Sequence, residues 1–371
     1  MKKLKIAVVY GGCSGEHEVS CMSAAGVLKN LDRNLFEPIP IAIDKNGQWL
    51  IDKVPNVLLP DNSALKINET TAEQFPIMQQ SQKSLQSQLN QDKYFDVIFP
   101  VVHGVQCEDG TLQGLFEILN VPYVGANVMS SALGMDKVIS KKLVQTAGIA
   151  VAPFIEIRAA QWQLNSQQVL QTINHKLPFP VFVKPVNTGS SVGVNKAHNQ
   201  QELTAAIDNA LQFDHKIIIE AALNVRDVEL SVLENNHYGA PPRVSVAGEI
   251  VLAPKHEFYS YEAKYLDPAA LTLEIPANIS PELLAQLQSI AKDIFLVLEC
   301  EGMARVDLFV EKNTNNIYFN EINTLPGFTP YSMYPKLWEA SGLNYQNLLT
   351  ELIRLAIARF ERKQSLKRDW R

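Results

Sequence analysis

The chain has 371 residues, 46% of them hydrophobic and 19% charged, with a net charge of −6 and four cysteines. That length exceeds one ordinary core and predicts two or three domains of a globular protein in water. An acidic balance without a basic stripe argues against a non-specific nucleic-acid binder, and no apolar run is long enough to span a membrane.

The opening, MKKLKIAVVYGG, passes from a short basic flank straight into a strand, without the apolar core and cleavage site of a signal peptide. Cys13, Cys21, Cys107 and Cys300 have neither metal-ligand nor redox-pair spacing, which fits a reducing cytoplasm. Leu4–Tyr10 reads as a buried strand, Gly11 to Gly15 as a turn, and a helix begins near Glu16. Strand, glycine turn and helix open a doubly wound α/β unit whose helix N-terminus can hold a polar ligand group. The glycine spacing is not G-x-G-x-x-G, so a nicotinamide or flavin site is poorly supported. Taken singly, Glu16 and Glu18 need do no more than complement the helix dipole.

Ile39–Ile43 is a second strand. Residues 51–92 are rich in Gln, Ser and Asn and read as a surface excursion. Phe95–Val102 is a buried strand ending in His103-Gly104, with Glu108-Asp109-Gly110 close behind. Polar groups at that end of a strand lie where open α/β sheets bind ligands. A helix from Asn127 to about Gly148 carries Asp136, Lys137, Lys141 and Lys142. Next comes the strand Pro178–Pro185, with Lys184 just before the loop NTGSSVG at 187–193. Such a loop can close on a phosphate chain through backbone N–H groups and hydroxyls, or be a plain hairpin turn; it lacks the P-loop pattern.

Lys216–Glu220 and Asp227–Leu233 are further strands. Glu220 stands where the chain could cross between domains and accept an adenine amino group. The polar, aromatic run Phe258–Tyr265 carries too many reactive groups for a linker. Pro281–Leu298 is an amphipathic helix, and Trp338–Arg371 reads as helical with a basic, frayed end.

The densest chemistry lies in residues 303–333. Ala304–Val310 and Ile317–Ile322 are apolar strands joined by Lys-Asn-Thr-Asn-Asn. Folded about Thr314, they set Asp307 opposite Glu321 and Arg305 opposite Asn323, a compact polar quartet on one face. Two carboxylates and an amide oxygen suit Mg²⁺ shared with substrate phosphates, and the arginine adds a permanent planar donor.

The segments GGCSGEHEVS, HG…EDGTLQG, MDK, VKPVNTGSSVG, YEAKY, ARVD and NEINTLPGFTPYS, in this order, resemble the D-alanine–D-alanine ligase family of the ATP-grasp superfamily over nearly the whole chain. The resemblance implies an α/β and α+β, three-domain ATP-grasp architecture. A Rossmann-like N-terminal domain (1–125) would precede a small central domain with the phosphate loop (126–223). A C-terminal domain with metal site and lid (224–371) would complete it. It implies two D-alanines joined through a D-alanyl phosphate, with ATP and two Mg²⁺ (or Mn²⁺), in a homodimer.

By the family's pattern Asp307, Glu321 and Asn323 would hold metal, while Lys137, Lys184 and Lys264 would bind phosphate oxygens. Glu220 would contact adenine and Asp227 the ribose, with Leu223 also binding ATP. Arg305 and the N–H of Gly327 would stabilise the oxyanion. Glu16, with Ser190 and Tyr265, would hold the amino group of the first D-alanine, and His103 and Ser332 would serve the second. The Lys264-Tyr265 pair resembles the dipeptide-forming branch rather than the ester-forming one. Cys107 stands where the family has glycine, so a positive φ there would strain the turn. Asp227 replaces a longer glutamate, and Ala221 a lysine found in some members.

Overall fold

The computed structural model describes residues 2–51, 73, 74, 95–253 and 271–367. The Gln- and Ser-rich excursion, the Phe258–Tyr265 run and the last residues of the tail lie outside the described residues, apart from the short strand at 73–74.

The first sheet is built on β1 (Leu4–Gly11), whose residues from Ile6 to Tyr10 are almost wholly removed from water. Such a run buries both faces, as a central parallel strand must. After β1 come α1 (His17–Asn30), β2 (Phe36–Ile43), β3 (Trp49–Ile51), β4 (Glu73–Gln74), β5 (Val97–Pro100) and α2 (Thr111–Leu119). The order is β4-β3-β2-β1-β5, with β2 and β5 both parallel to β1. Gly11 makes the exit from β1 possible: its φ is +92°, and a Cβ there would sit 2.1 Å from the Ile43 carbonyl oxygen. Ser20 of α1 accepts from Gly11 N at 2.8 Å and donates to Val101 O at 2.6 Å, tying the two strand ends that face the cleft.

The single helix expected from Asn127 to Gly148 is instead two, α3 (Val128–Met135) and α4 (Lys137–Thr146). Asp136 breaks it with ψ 98° and caps α4 by accepting from Val138 N and Ile139 N. Capping satisfies orphan N–H groups that an uninterrupted helix would not have. Both helices pack on the last strand of the third sheet.

A second sheet has the antiparallel order β6-β9-β7-β8. It contains β6 (Phe154–Arg158), β7 (Val181–Pro185), β8 (Asn195–Ala197) and β9 (Lys216–Ala221), with α5 (Ala159–Lys176) and α6 (Gln200–Ala210). Trp162, Ile173, Leu203 and Ile207 cover one face of it and form a core of their own.

The third sheet, β12-β11-β10-β13-β14, is also antiparallel. Its strands are β10 (Val225–Leu233), β11 (Arg243–Leu252), β12 (Leu271–Glu274), β13 (Met303–Glu311) and β14 (Ile317–Asn323), backed by α7 (Pro281–Val297). Trp338–Arg371 is not one helix: α8 (Met333–Ala340) stops at Ser341 and α9 (Tyr345–Gln364) starts at its Asn344 cap. Leu348, Leu352 and Ile353 of α9 return to the core of the first sheet. Arg359 donates to the carbonyls of Tyr123 and Gly125 at 2.7 and 2.6 Å, so the chain's far end holds the link leaving the first sheet. Among the described residues no helix is long and apolar enough to cross a membrane.

Candidate active site

In the β13–β14 hairpin Arg305 pairs with Asn323 and Asp307 with Glu321, as symmetry about Thr314 predicts. Nearer the turn the register differs by one, Val310 pairing with Ile317, because the ladder shifts between Asp307 and Leu308 and leaves Asn320 as an extra residue. A bulge breaks the two-residue alternation. Phe319 and Ile322, three apart, are therefore both buried, while Asn320 and Glu321 both face the cleft.

Arg305 donates Nε and Nη2 to the two oxygens of Asp307, each at 2.7 Å. Its Nε also lies 3.1 Å from Oε2 of Glu229, which pairs with Asp307 across β10 and β13. Burial works against the guanidinium charge, yet Asp307 and Glu229 outweigh it and hold the Arg305 pKa well above the ordinary arginine value. A planar fork on two carboxylates is fixed in direction as well as charge.

Lys137, the first residue of α4, donates to Thr188 O at 2.7 Å and stands 3.4 Å from Oε2 of Glu321. Behind it, Glu220 is clamped between Lys141 Nζ at 2.9 Å and Lys184 Nζ at 2.6 Å. Burial alone would raise the Glu220 carboxyl, but the two ammonium groups bring it down to about 2. The loop after Lys184 is the hairpin connection the sequence allowed. It joins the antiparallel pair β7–β8, and it opens onto the cleft with Ser190, Ser191 and Gly193 at positive φ. Asp214 fixes its base by accepting from Asn187 N and Nδ2 at 2.8 and 2.9 Å.

Opposite, the N-cap of α1 contributes Glu16, which receives a hydrogen bond from Ser190 Oγ. Ser14 Oγ donates to His103 O at 2.7 Å and accepts from Glu16 N at 3.2 Å. His103 is buried, with Nδ1 3.4 Å from Glu108 Oε1 and Nε2 3.4 Å from Ser23 Oγ. Ser332, at the start of α8, accepts from Thr329 N at 2.9 Å, and its Oγ would lie 2.8 Å from a Cβ on Gly327.

These groups line two cavities. The larger, about 590 Å³, lies between the second and third sheets and is bounded by Lys184, Glu220, Leu223, Asp227 and Asp307. The smaller, about 280 Å³, lies against the first sheet and is bounded by Glu16, His103, Asn323, Gly327 and Ser332. Lys137, Ser190, Glu229, Arg305 and Glu321 line both. A donor group in one cavity would thus meet an acceptor in the other at a wall of fixed charges.

Residues 5–126 match the family described as D-ala D-ala ligase N-terminus, and residues 143–354 the family described as D-ala D-ala ligase C-terminus. The chain belongs to the D-alanine–D-alanine ligase family. The curated D-alanine–D-alanine ligase of Shouchella clausii is 45% identical, covering 99% of this chain and 98% of that one. Among solved structures, the D-alanine-D-alanine ligase from Coxiella burnetii aligns with TM-score 0.78 and 35% identity over 98% and 97% of the two chains. The VanG D-Ala:D-Ser ligase from Enterococcus faecalis aligns with TM-score 0.80 and 35% identity over 96% and 100%. The architecture is accordingly that of an ATP-grasp ligase.

Every site residue the family pattern singles out lines one of the two cavities, except Lys264 and Tyr265, which lie outside the described residues. Two members of the site escape sequence reasoning. Glu229 is unmarked on a strand already recognised, although a charge amid buried strand residues is itself a signal. Lys141 was named only as part of a helix, and its partner is far away in sequence. Strain also falls elsewhere than expected: the positive φ is at Gln106, 70°, and not at Cys107, whose buried thiol is pushed up to about 12 by burial and Glu108.

The donors Asp307, Glu321 and Asn323 are all oxygen, which fits a hard cation. Among the described residues no three histidine, cysteine or carboxylate side chains form a closed metal cage.

Proposed function

We propose that this chain joins two D-alanines into D-alanyl-D-alanine, splitting ATP to ADP and phosphate, for cell-wall precursor synthesis in the cytoplasm. The observation that carries the reading is the shared wall of Lys137, Ser190, Arg305 and Glu321 between a nucleotide-sized cavity and an amino-acid-sized one. A carboxylate oxygen of the first D-alanine attacks the γ-phosphorus, and ADP leaves. The amine of the second attacks the acyl carbon, and the tetrahedral intermediate expels phosphate.

In this reading Lys137, Lys184 and Lys264 take phosphate oxygens, Glu220 and Leu223 the adenine, and Asp227 the ribose. Asp307, Glu321 and Asn323 would hold two Mg²⁺ or Mn²⁺ ions, which would neutralise charge on the phosphates. Arg305 and Gly327 N–H face the developing oxyanion, a contribution of roughly 3–4 kcal/mol per donor in comparable sites. Glu16, with Ser190 and Tyr265, holds the first amino group, and His103 and Ser332 orient the second D-alanine. The segment around Tyr265 acts as a lid that excludes water from the acyl phosphate. Residues 1–125, 126–223 and 224–371 are the three working units, and the enzyme acts as a homodimer.

The test is ADP release from Mg·ATP with and without D-alanine, followed by the mass of the product with D-alanine, D-serine or D-lactate as acceptor. D-alanine-dependent release with the dipeptide as main product supports the reading. A dominant ester or D-alanyl-D-serine product overturns the acceptor assignment. ATP binding without substrate-dependent turnover overturns the enzyme.

A further inference from the structure

Lys141 is 1% exposed in its side chain and borders neither cavity, yet it holds three elements together. From α4 its Nζ reaches Glu220 Oε1 on β9 at 2.9 Å and donates to the Phe319 carbonyl on β14 at 3.2 Å. The other Glu220 oxygen is 2.6 Å from Lys184, and both Glu220 and Lys184 border the larger cavity. Without Lys141, Glu220 and Lys184 would cancel and present no net charge. With it, the three side chains sum to one positive charge, and of the two members that border the cleft the cation is Lys184. Burying an ammonium is costly unless it is paired, so this position does more than fill space.

We propose that Lys141 is a positioning residue that sets the charge of the nucleotide cleft: by neutralising Glu220 from behind, it leaves the Lys184 charge available to a polyphosphate. The inference rests on the ATP reading above. Because Glu220 is also read as a base contact, any effect on the base appears in ATP and adenosine alike, so the readout for the phosphates is the ratio of ATP affinity to adenosine affinity. A unit charge removed behind the cleft should change that ratio about tenfold.

The experiment measures Mg·ATP and adenosine binding by calorimetry for wild type, K141R, K141M, E220Q and K141M/E220Q. K141R should keep the wild-type ratio. K141M should lower it about tenfold. K141M/E220Q, which returns the sum to one positive charge and removes both halves of the buried pair, should restore it. An equal loss of ATP and adenosine in K141M, or no recovery in the double variant, would overturn the proposal. If K141M does not fold, E220Q and the double variant make the same comparison, from two positive charges to one. An unchanged ratio between them again overturns it. A wild type that fails to bind ATP removes the functional reading as well; one that binds ATP with an unchanged ratio in K141M removes this inference alone.

Discussion

Arg305 holds both carboxylate oxygens of Asp307 at 2.7 Å, two residues along the same strand. The guanidinium thus holds buried carboxylates and lines both cavities at once, and on the proposed function its loss has two separable effects. Arg305→Ala should lower turnover by about 10²–10³-fold, the usual loss for an oxyanion donor. It should also cost roughly 3 kcal/mol of stability, since Asp307 and Glu229 lose their shared counter-charge. Arg305→Lys keeps the charge and loses the fork, so it should recover the stability and little of the turnover. Steady-state kinetics alongside thermal melts separate the two. Full activity in Arg305→Lys would show that the fork is not needed.

Glu229 lines both cavities and holds the Nε side of the same guanidinium at 3.1 Å, so its expected action is through Arg305. Glu229→Gln preserves shape and removes the charge. Turnover should fall roughly tenfold, equivalent to about 1.4 kcal/mol of barrier, while the KM for ATP stays within about twofold because phosphate contacts are untouched. A KM effect as large as the turnover effect would make Glu229 a nucleotide residue instead.

How much of this could be read from the chain depends on whether the contact is local. The pairing of Asp307 with Glu321 was legible because both lie on one hairpin with a short turn. The bulge at Asn320 was not, since alternation carries no mark of an extra residue until Phe319 and Ile322 are both seen to be buried. The parallel strands of the first sheet announced themselves as unbroken apolar runs. The packing of α9 onto that same core did not, because an amphipathic helix shows that it has a buried face and not what covers it. The Lys141–Glu220 pair spans the second and third sheets' junction and follows from no local pattern. The break at Asp136 was readable in principle, as an N-cap aspartate just before Lys137.

His103 and Glu108 give the stability a definite pH dependence. For His103 burial lowers the pKa, but Glu108 outweighs it and the net shift is upward. For Glu108 burial raises it, and His103 only partly opposes this. A group that binds its proton more tightly when folded stabilises the fold below its unfolded pKa and loses that contribution as pH rises through the folded value. Relative to His103→Asn, wild type should therefore lose stability as pH climbs above 6.5; relative to Glu108→Gln, it should lose it from 4.5 upward. Melting temperatures of each pair between about pH 5 and pH 9 provide the check. A gap that widens with rising pH would reverse the sign and refute the assignment.

Gly327 offers the sharpest test of the smaller cavity. Its φ lies outside the left-handed region that favours glycine, and alanine keeps the N–H that the proposed function aims at the oxyanion. The added methyl would instead lie 2.8 Å from Ser332 Oγ and 3.8 Å from Ser23 Oγ. Ser332 is held there by Thr329 N and the Thr329 hydroxyl, at 2.9 and 2.8 Å, so it yields only by giving up those bonds. Gly327→Ala should therefore displace Ser332, the residue proposed to orient the second D-alanine. The expected result is a KM for the acceptor D-alanine raised roughly tenfold, about 1.4 kcal/mol, with the KM for ATP nearly unchanged. Adding Ser332→Ala removes the clashing hydroxyl, so the double variant should resemble Ser332→Ala alone rather than the sum of the two. Strict additivity in that cycle would mean that methyl and hydroxyl never meet, and that Gly327 acts through its backbone alone.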